Sequence, residues 1–169
     1  SIIDSIKGIF NGSTNFVLSN VFQNDMKISD AITLATKKGY LEADPADDMD
    51  GFDLTSLSGR KRVLIVCSTW GEGEQPDNAE ELWIKASSAP PGLLDGVNFS
   101  VLALGDTSYE LFCESGKEWD VKFEQLGATR LVARVDCDVD YDQISQEWAE
   151  NALAAMAAVD GEGVFHEEM

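Results

Sequence analysis

Two segments of this chain combine residue types that can do chemistry. One is Ser68-Thr69-Trp70-Gly71-Glu72-Gly73-Glu74-Gln75-Pro76-Asp77-Asn78; the other is Leu104-Gly105-Asp106-Thr107-Ser108-Tyr109-Glu110-Leu111-Phe112. Each follows an apolar run and puts one large aromatic at its tip. On adjacent loops, Trp70 and Tyr109 would close on the two faces of a flat ring, while glycines 71, 73 and 105 let backbone N–H and C=O groups reach its polar edge. Either loop alone is better read as an aromatic packing its own turn. Two such loops at consecutive strand ends favour a planar heteroaromatic ligand.

Other reactive-looking residues carry less. Asp136, Asp138, Asp140, Asp142 and Glu147 match the carboxylate spacing of a calcium-binding helix-loop-helix, but Tyr141 stands where the turn glycine is required and a strand precedes the loop. They read as an acidic strand-to-helix connection. His166 is the only histidine and lies in a Gly- and Glu-rich tail, which excludes His-based triads and multi-His metal sites and leaves it solvated. Cys113 precedes a helix without a basic sequence neighbour, so it reads as a partly buried structural thiol.

The loops need a scaffold, and hydrophobic periodicity supplies one. Arg62–Cys67 and Phe99–Leu104 are continuous apolar runs, the mark of strands buried on both faces, and Leu131–Val135 is similar. Helical patterns at Ala79–Ser87, Cys113–Leu126 and Tyr141–Ala157 separate and follow them. Strands alternating with helices predict a parallel, doubly wound α/β sheet with right-handed crossovers, whose ligands sit beyond the carboxyl ends of the strands. The strands are expected at about Arg62–Cys67, Asn98–Leu104 and Arg130–Val135, with Ile2–Phe10 as a fourth beside the first of these. Asn11-Gly12-Ser13-Thr14-Asn15 breaks that fourth strand, helical spacing follows at Phe16, Val17, Asn20 and Val21, and a second helix runs from Ser29, a good N-cap, to Gly39. Between Gly39 and Gly59 the chain is rich in Asp, Gly and Ser and reads as a connection, the natural seam between two parts.

Composition bounds the rest. At 169 residues and 44% hydrophobic the chain has the size of one domain, expected over 1–169, and can bury roughly 70% of its unfolded surface. Its formal charge of −19 repels phosphate backbones and anionic lipid, which argues against nucleic acid and membrane surfaces and for basic protein partners. Three cysteines without a spacing pattern fit a reducing, cytoplasmic setting. No basic segment of a signal peptide opens the chain, and the absent initiator Met points to processing or excision.

The two aromatic loops, Thr69-Trp70-Gly71-Glu72-Gly73-Glu74 with Pro76-Asp77-Asn78 and Leu104-Gly105-Asp106-Thr107-Ser108-Tyr109-Glu110 with Phe112, resemble the isoalloxazine loops of the FMN domain in diflavin reductases, nearest to sulfite reductase flavoprotein. The likeness runs from about Phe52 to Met156 and includes Glu124-Gln125-Leu126-Gly127-Ala128. It implies a flavodoxin-like three-layer sandwich that relays electrons through FMN. The ring site it implies consists of Ser68, Thr69, Trp70, Gly71, Glu72, Gly73, Leu104, Gly105, Asp106, Tyr109, Phe112 and Asp136, with Trp70 and Tyr109 sandwiching the flavin. Glu72, Glu74, Asp77, Asp106, Glu110, Asp136 and Asp138 then form either a docking face for a basic redox partner or a solvated rim.

The family's first strand leads into a Ser/Thr-x-Thr-Gly-x-Thr loop that holds the FMN phosphate, and no such sequence precedes Phe52. Instead, Gly8-Ile9-Phe10-Asn11-Gly12-Ser13-Thr14-Asn15-Phe16, Gly39-Tyr40-Leu41-Glu42-Ala43-Asp44-Pro45 and Asp48-Met49-Asp50-Gly51-Phe52-Asp53 resemble the substrate region of homoserine dehydrogenase. In that family Glu42, Asp48 and Asp53 would contact homoserine or position a lysine four residues beyond Asp53. Leu57 occupies that place, and the chain lacks a dinucleotide fingerprint. The expectation is a chimera, with residues 1–53 substituting the first βαα segment of the flavodoxin-like part, 54–169. FMN is then held weakly, an exposed sheet edge offers a route to a homodimer, and the competing reading is an engineered or shuffled protein with no ligand or activity.

Overall fold

A computed structural model describes Met49 and residues 53–166. The expected strand Ile2–Phe10, the two helices before Gly39 and the Asn11–Asn15 loop lie outside the described residues. Within them the elements are α1 (Leu54–Leu57), β1 (Arg62–Ser68), α2 (Glu80–Ser87), β2 (Asn98–Leu104), α3 (Glu114–Gln125), β3 (Thr129–Arg130), β4 (Val135–Cys137) and α4 (Asp142–Ala157).

β1 and β2 pair in parallel over their whole length, from Arg62 opposite Asn98 to Ser68 opposite Leu104. Because successive side chains leave a strand on opposite faces, the apolar run of β1 feeds two cores. Val63, Ile65 and Cys67 join Leu82 of α2 and Trp119 and Phe123 of α3 on one face. Leu64 and Val66 join Trp148, Ala152 and Met156 of α4 on the other. The result is a three-layer α/β sandwich, as the two-sided apolar runs predict. Each large side chain buried in it contributes about 1.5–3 kcal/mol.

The third expected strand differs from its prediction. Thr129–Arg130 pairs with Asn98–Phe99 and Val135–Cys137 pairs with Leu102–Leu104, but the residues between bow away from β2. The bow lets two arginines share one carboxylate: Arg130 Nε donates to Asp120 Oδ1 at 2.6 Å, and Arg134 Nη1 to Asp120 Oδ2 at 2.9 Å. A regular strand would set their Cα atoms about 13 Å apart. Ser100 fills the gap, accepting from Trp148 Nε1 at 2.9 Å and donating to the Val132 carbonyl at 3.1 Å.

The connection before β1 also contains more order than its composition implies. Asp53 caps α1 by accepting from the Thr55 amide at 3.0 Å and hydroxyl at 2.7 Å, and its carboxyl is held below the usual range by those bonds. Leu54 and Leu57 are buried in the same core as Val63. At the other end His166 is exposed, as expected, and meets Asp160 at 2.7 Å; that bond, with the amides of Val164 and Glu162, lowers the Asp160 carboxyl to about 2.

Helix α3 lies close against β2 at Gly116. A Cβ placed on Gly116 would lie 2.3 Å from the Ala103 Cβ and 2.8 Å from its Cα, so only glycine allows this approach. Gly116→Ala must push α3 off the sheet, and it is expected to destabilise the protein by about 1–3 kcal/mol, measured by urea unfolding. An unchanged midpoint would show that the helix has room to shift.

Candidate functional site

The register of β1 against β2 ends at Ser68 and Leu104, so the two aromatic loops leave the sheet side by side, and the Thr69 amide donates to the Leu104 carbonyl at 3.1 Å. Between them lies a cleft of about 640 Å³. Ser68, Thr69, Trp70 and Gly71 line it from the first loop, and Leu104, Gly105, Asp106, Tyr109 and Phe112 from the second. Glu72 and Gly73 do not line it. Neither does Asp136, whose Oδ1 accepts from Arg134 Nε at 2.6 Å and so ties β4 to the arginine bow.

The first loop is a tight hairpin. The Trp70 amide donates to the Glu74 carbonyl at 3.0 Å, and the amides of Gly73 and Glu74 donate back to the Trp70 carbonyl at 2.9 and 2.8 Å. Gly73 has φ +104°, and a Cβ there would strike the Leu111 side chain at 2.7 Å, so the residue is required both by its turn and by the neighbouring loop. Trp70 is left 62% exposed and Tyr109 60% exposed, both at the cleft. Two large aromatics thus stand beside one cavity, on backbones held by hydrogen bonds, with their side chains facing water.

Five further residues line the cleft that the sequence reading does not assign to it: Leu111, Cys113, Asp138, Val139 and Tyr141. Leu111, Val139 and Tyr141 are exposed apolar or aromatic side chains that extend the greasy wall. The acidic run around Val139 and Tyr141 disguises them, since its composition reads as solvated loop. Asp138 has a structural task. Its Oδ1 accepts from the Thr107 amide at 3.1 Å and its Oδ2 from the Thr107 hydroxyl at 2.5 Å, fastening the loop after β4 to the loop after β2. Those bonds, led by the hydroxyl, hold its carboxyl below the usual range. Cys113 is buried, with its backbone in the left-handed region (φ 57°) and its thiol pushed up to about 12 by burial, then by Asp136. It is a structural thiol at the back of the cleft.

A flavodoxin family model matches residues 32–150. The chain belongs to the flavodoxin family. Its match begins upstream of the seam expected near Asp53. It is 38% identical to the sulfite reductase [NADPH] flavoprotein alpha-component of Vibrio parahaemolyticus over 144 residues, 84% of this chain and 23% of that protein. With the Bacillus subtilis protein of the same name it shares 46% over 115 residues, 67% of this chain and 19% of that one. The chain thus spans about a fifth to a quarter of the length of these curated relatives. Among solved structures, a short-chain flavodoxin associated with a PDU bacterial microcompartment superposes with a TM-score of 0.59 at 18% identity, covering 89% of this chain and 95% of that one. Oxidised flavodoxin 1 from Bacillus cereus gives 0.56 at 17%, covering 88% and 95%. These two likenesses show the fold.

The Asp138 clasp generates a pH signature. A carboxyl whose folded pKa lies below its unfolded value of 3.8 contributes stability above that value and loses it as pH falls through the folded pKa. Thr107→Val removes the hydroxyl donor and is expected to move the Asp138 pKa back up towards 3.8, followed by titration of its carboxyl carbon by NMR. An unmoved pKa would show that the hydroxyl is not its main partner.

Proposed function

We propose that the chain is an FMN-binding electron-transfer module whose cleft takes the flavin ring between Trp70 and Tyr109. The observation that carries this reading is the pair of exposed aromatics on adjacent strand-end loops, flanking a cavity of about 640 Å³ in a flavodoxin-family sheet. That volume falls within the roughly 300–1,000 Å³ of small-molecule sites. When bound, FMN supplies the one-electron chemistry. Trp70 and Tyr109 would stack on the ring, Leu111, Val139 and Tyr141 would exclude water from its apolar part, and Asp106 and Asp138 put negative charge beside it that opposes further negative charge. Glu72, Glu74, Asp77 and Glu110 extend the acidic rim and fit a basic redox partner, whose approach a net charge of −19 would speed at low salt.

Residues 1–53 modify this reading. Their homoserine-dehydrogenase-like motifs and the absence of a Ser/Thr-x-Thr-Gly-x-Thr loop support a single domain, 1–169, in which the ring is gripped better than the phosphate. Losing charge-assisted hydrogen bonds at about 1.5–3 kcal/mol each would reduce FMN affinity by orders of magnitude relative to an intact phosphate loop. Homoserine oxidation has no support, since Leu57 stands where a lysine is needed and is buried in the core.

Titration of the purified protein with FMN and with riboflavin, read by flavin fluorescence, tests the reading. Similar affinities for both are expected, because the ring carries recognition. Trp70→Ala is expected to weaken both by about five- to tenfold, the worth of one stacking contact. No binding of either flavin, or an affinity indifferent to Trp70, would overturn the site; a large preference for FMN would show that the substituted segment holds phosphate.

A further inference from the structure

The Trp70 hairpin is anchored by a side chain that does not touch the cleft. Gln75 follows Glu74, the foot of the hairpin, and reaches across to α3. Its Oε1 accepts from Ser115 Oγ at 2.7 Å and from Trp119 Nε1 at 2.8 Å, and its Nε2 donates to Glu118 Oε2 at 2.7 Å. An indole N–H can only donate and a carboxylate can only accept, so the partners fix which way the amide points. The other foot is tied to the same turn of α3, where the Ser115 amide donates to Thr69 Oγ1 at 3.2 Å. Ser115 and Trp119 are wholly buried, and Trp119 packs edge-on against Trp83 with ring centroids 5.0 Å apart. The anchor is therefore part of the rigid core, while the hairpin it holds projects into solvent.

Cys67 completes the connection. Its Sγ lies 2.9 Å from Ser115 Oγ, and the single hydroxyl hydrogen of Ser115 is already given to Gln75, so the thiol donates and stays protonated. A chain of hydrogen bonds thus runs from the end of β1 through Ser115 to Gln75 and closes the loop between β1 and α2 on itself.

We propose that Gln75 is a positioning residue for the ring site: it sets the Trp70 hairpin in its ligand-ready place before any ligand arrives. The proposal rests on the flavin reading for what the hairpin is set to receive, but the setting itself is a property of the free protein. Preorganisation of this kind raises affinity by removing the ordering cost of the loop from the binding step.

Hydrogen exchange on the ligand-free 169-residue chain separates the two ideas. In Gln75→Ala the amides of residues 70–74 are expected to exchange about tenfold faster, with those of β1 and α4 unchanged, and riboflavin affinity is expected to fall by about the same factor. Gln75→Glu alone sets two carboxylates against each other and should loosen the hairpin likewise. Gln75→Glu combined with Glu118→Gln returns an acceptor facing Ser115 and Trp119 and a donor across from it, and should restore both exchange and affinity to within about twofold of the parent. Unchanged exchange at 70–74 in Gln75→Ala, acceleration spread equally over β1 and α4, or failure of the double exchange to restore the hairpin would each overturn the proposal. Failure of the parent protein to bind either flavin would overturn the flavin reading instead, and the exchange data would still decide what Gln75 holds.

Discussion

Everything at the site depends on the register of β1 against β2. In a parallel pair the carboxyl ends point the same way, so the alignment that sets Ser68 opposite Leu104 is also what places the Trp70 loop beside the Tyr109 loop. The apolar pattern does not choose that alignment. Both faces of both strands are buried, and a slip by one residue would exchange one set of aliphatic side chains for another. Polar pins choose it. Asn98 Nδ2 donates to the carbonyls of Lys61 at 3.0 Å and Gly163 at 2.9 Å. Arg62 donates to the carbonyls of Met156, at 2.9 Å, and Val159. Ser100 is locked between Trp148 and Val132. Slippage would strand these groups without partners inside a largely dry sheet, at about 1–3 kcal/mol each.

The distribution of charge follows a similar division. Arg130 and Arg134 are spent inside the fold, on Asp120, Glu124 and Asp136, and the Arg130 guanidinium also lies over the Phe99 ring at 5.4 Å. Asp120 is 6% exposed, and two arginines compensate the burial of its charge. The acids around the cleft are held differently: Asp138 is kept as a charged carboxylate by hydrogen bonds from Thr107 and Val139, Glu72 and Glu74 are exposed, and Asp106 is half-buried. Asp120 and Asp136 are thus paired with arginine, whereas Asp138 at the cavity is held by hydrogen bonds alone.

How legible the sequence is varies with the cause of each feature. β1, β2 and the three long helices are visible because burial on two faces, or on one helical stripe, writes a period into the chain. The break in the third strand is invisible, since Leu131-Val132-Ala133-Arg134-Val135 has strand composition and only the shared grip on Asp120, ten or more residues away, bends it. Helix α1 is missed because four residues leave no period, although Asp53 before Leu54 is an ordinary capping pattern. Trp70 and Tyr109 stand out by type. Val139 and Tyr141 line the same cleft but sit among aspartates, where an average over neighbours reads as solvent. Asp136, which family likeness associates with the ring, also pairs with Arg134, a contact that no local pattern announces.

The three cysteines give the molecule a clock of its own. Cys67, Cys113 and Cys137 are buried and unpaired, and burial raises all three thiols, to about 11 at Cys67 and about 12 at Cys113. Burial holds the Cys67 thiol protonated in the closed form at neutral pH, so an alkylating reagent must wait for the sheet to part. Cys67 sits under the Trp70 hairpin, Cys113 behind Tyr109 and Cys137 at the end of β4. The order in which the three become labelled would report which side of the cleft breathes first, and on what timescale, with no dye or tag added to the chain.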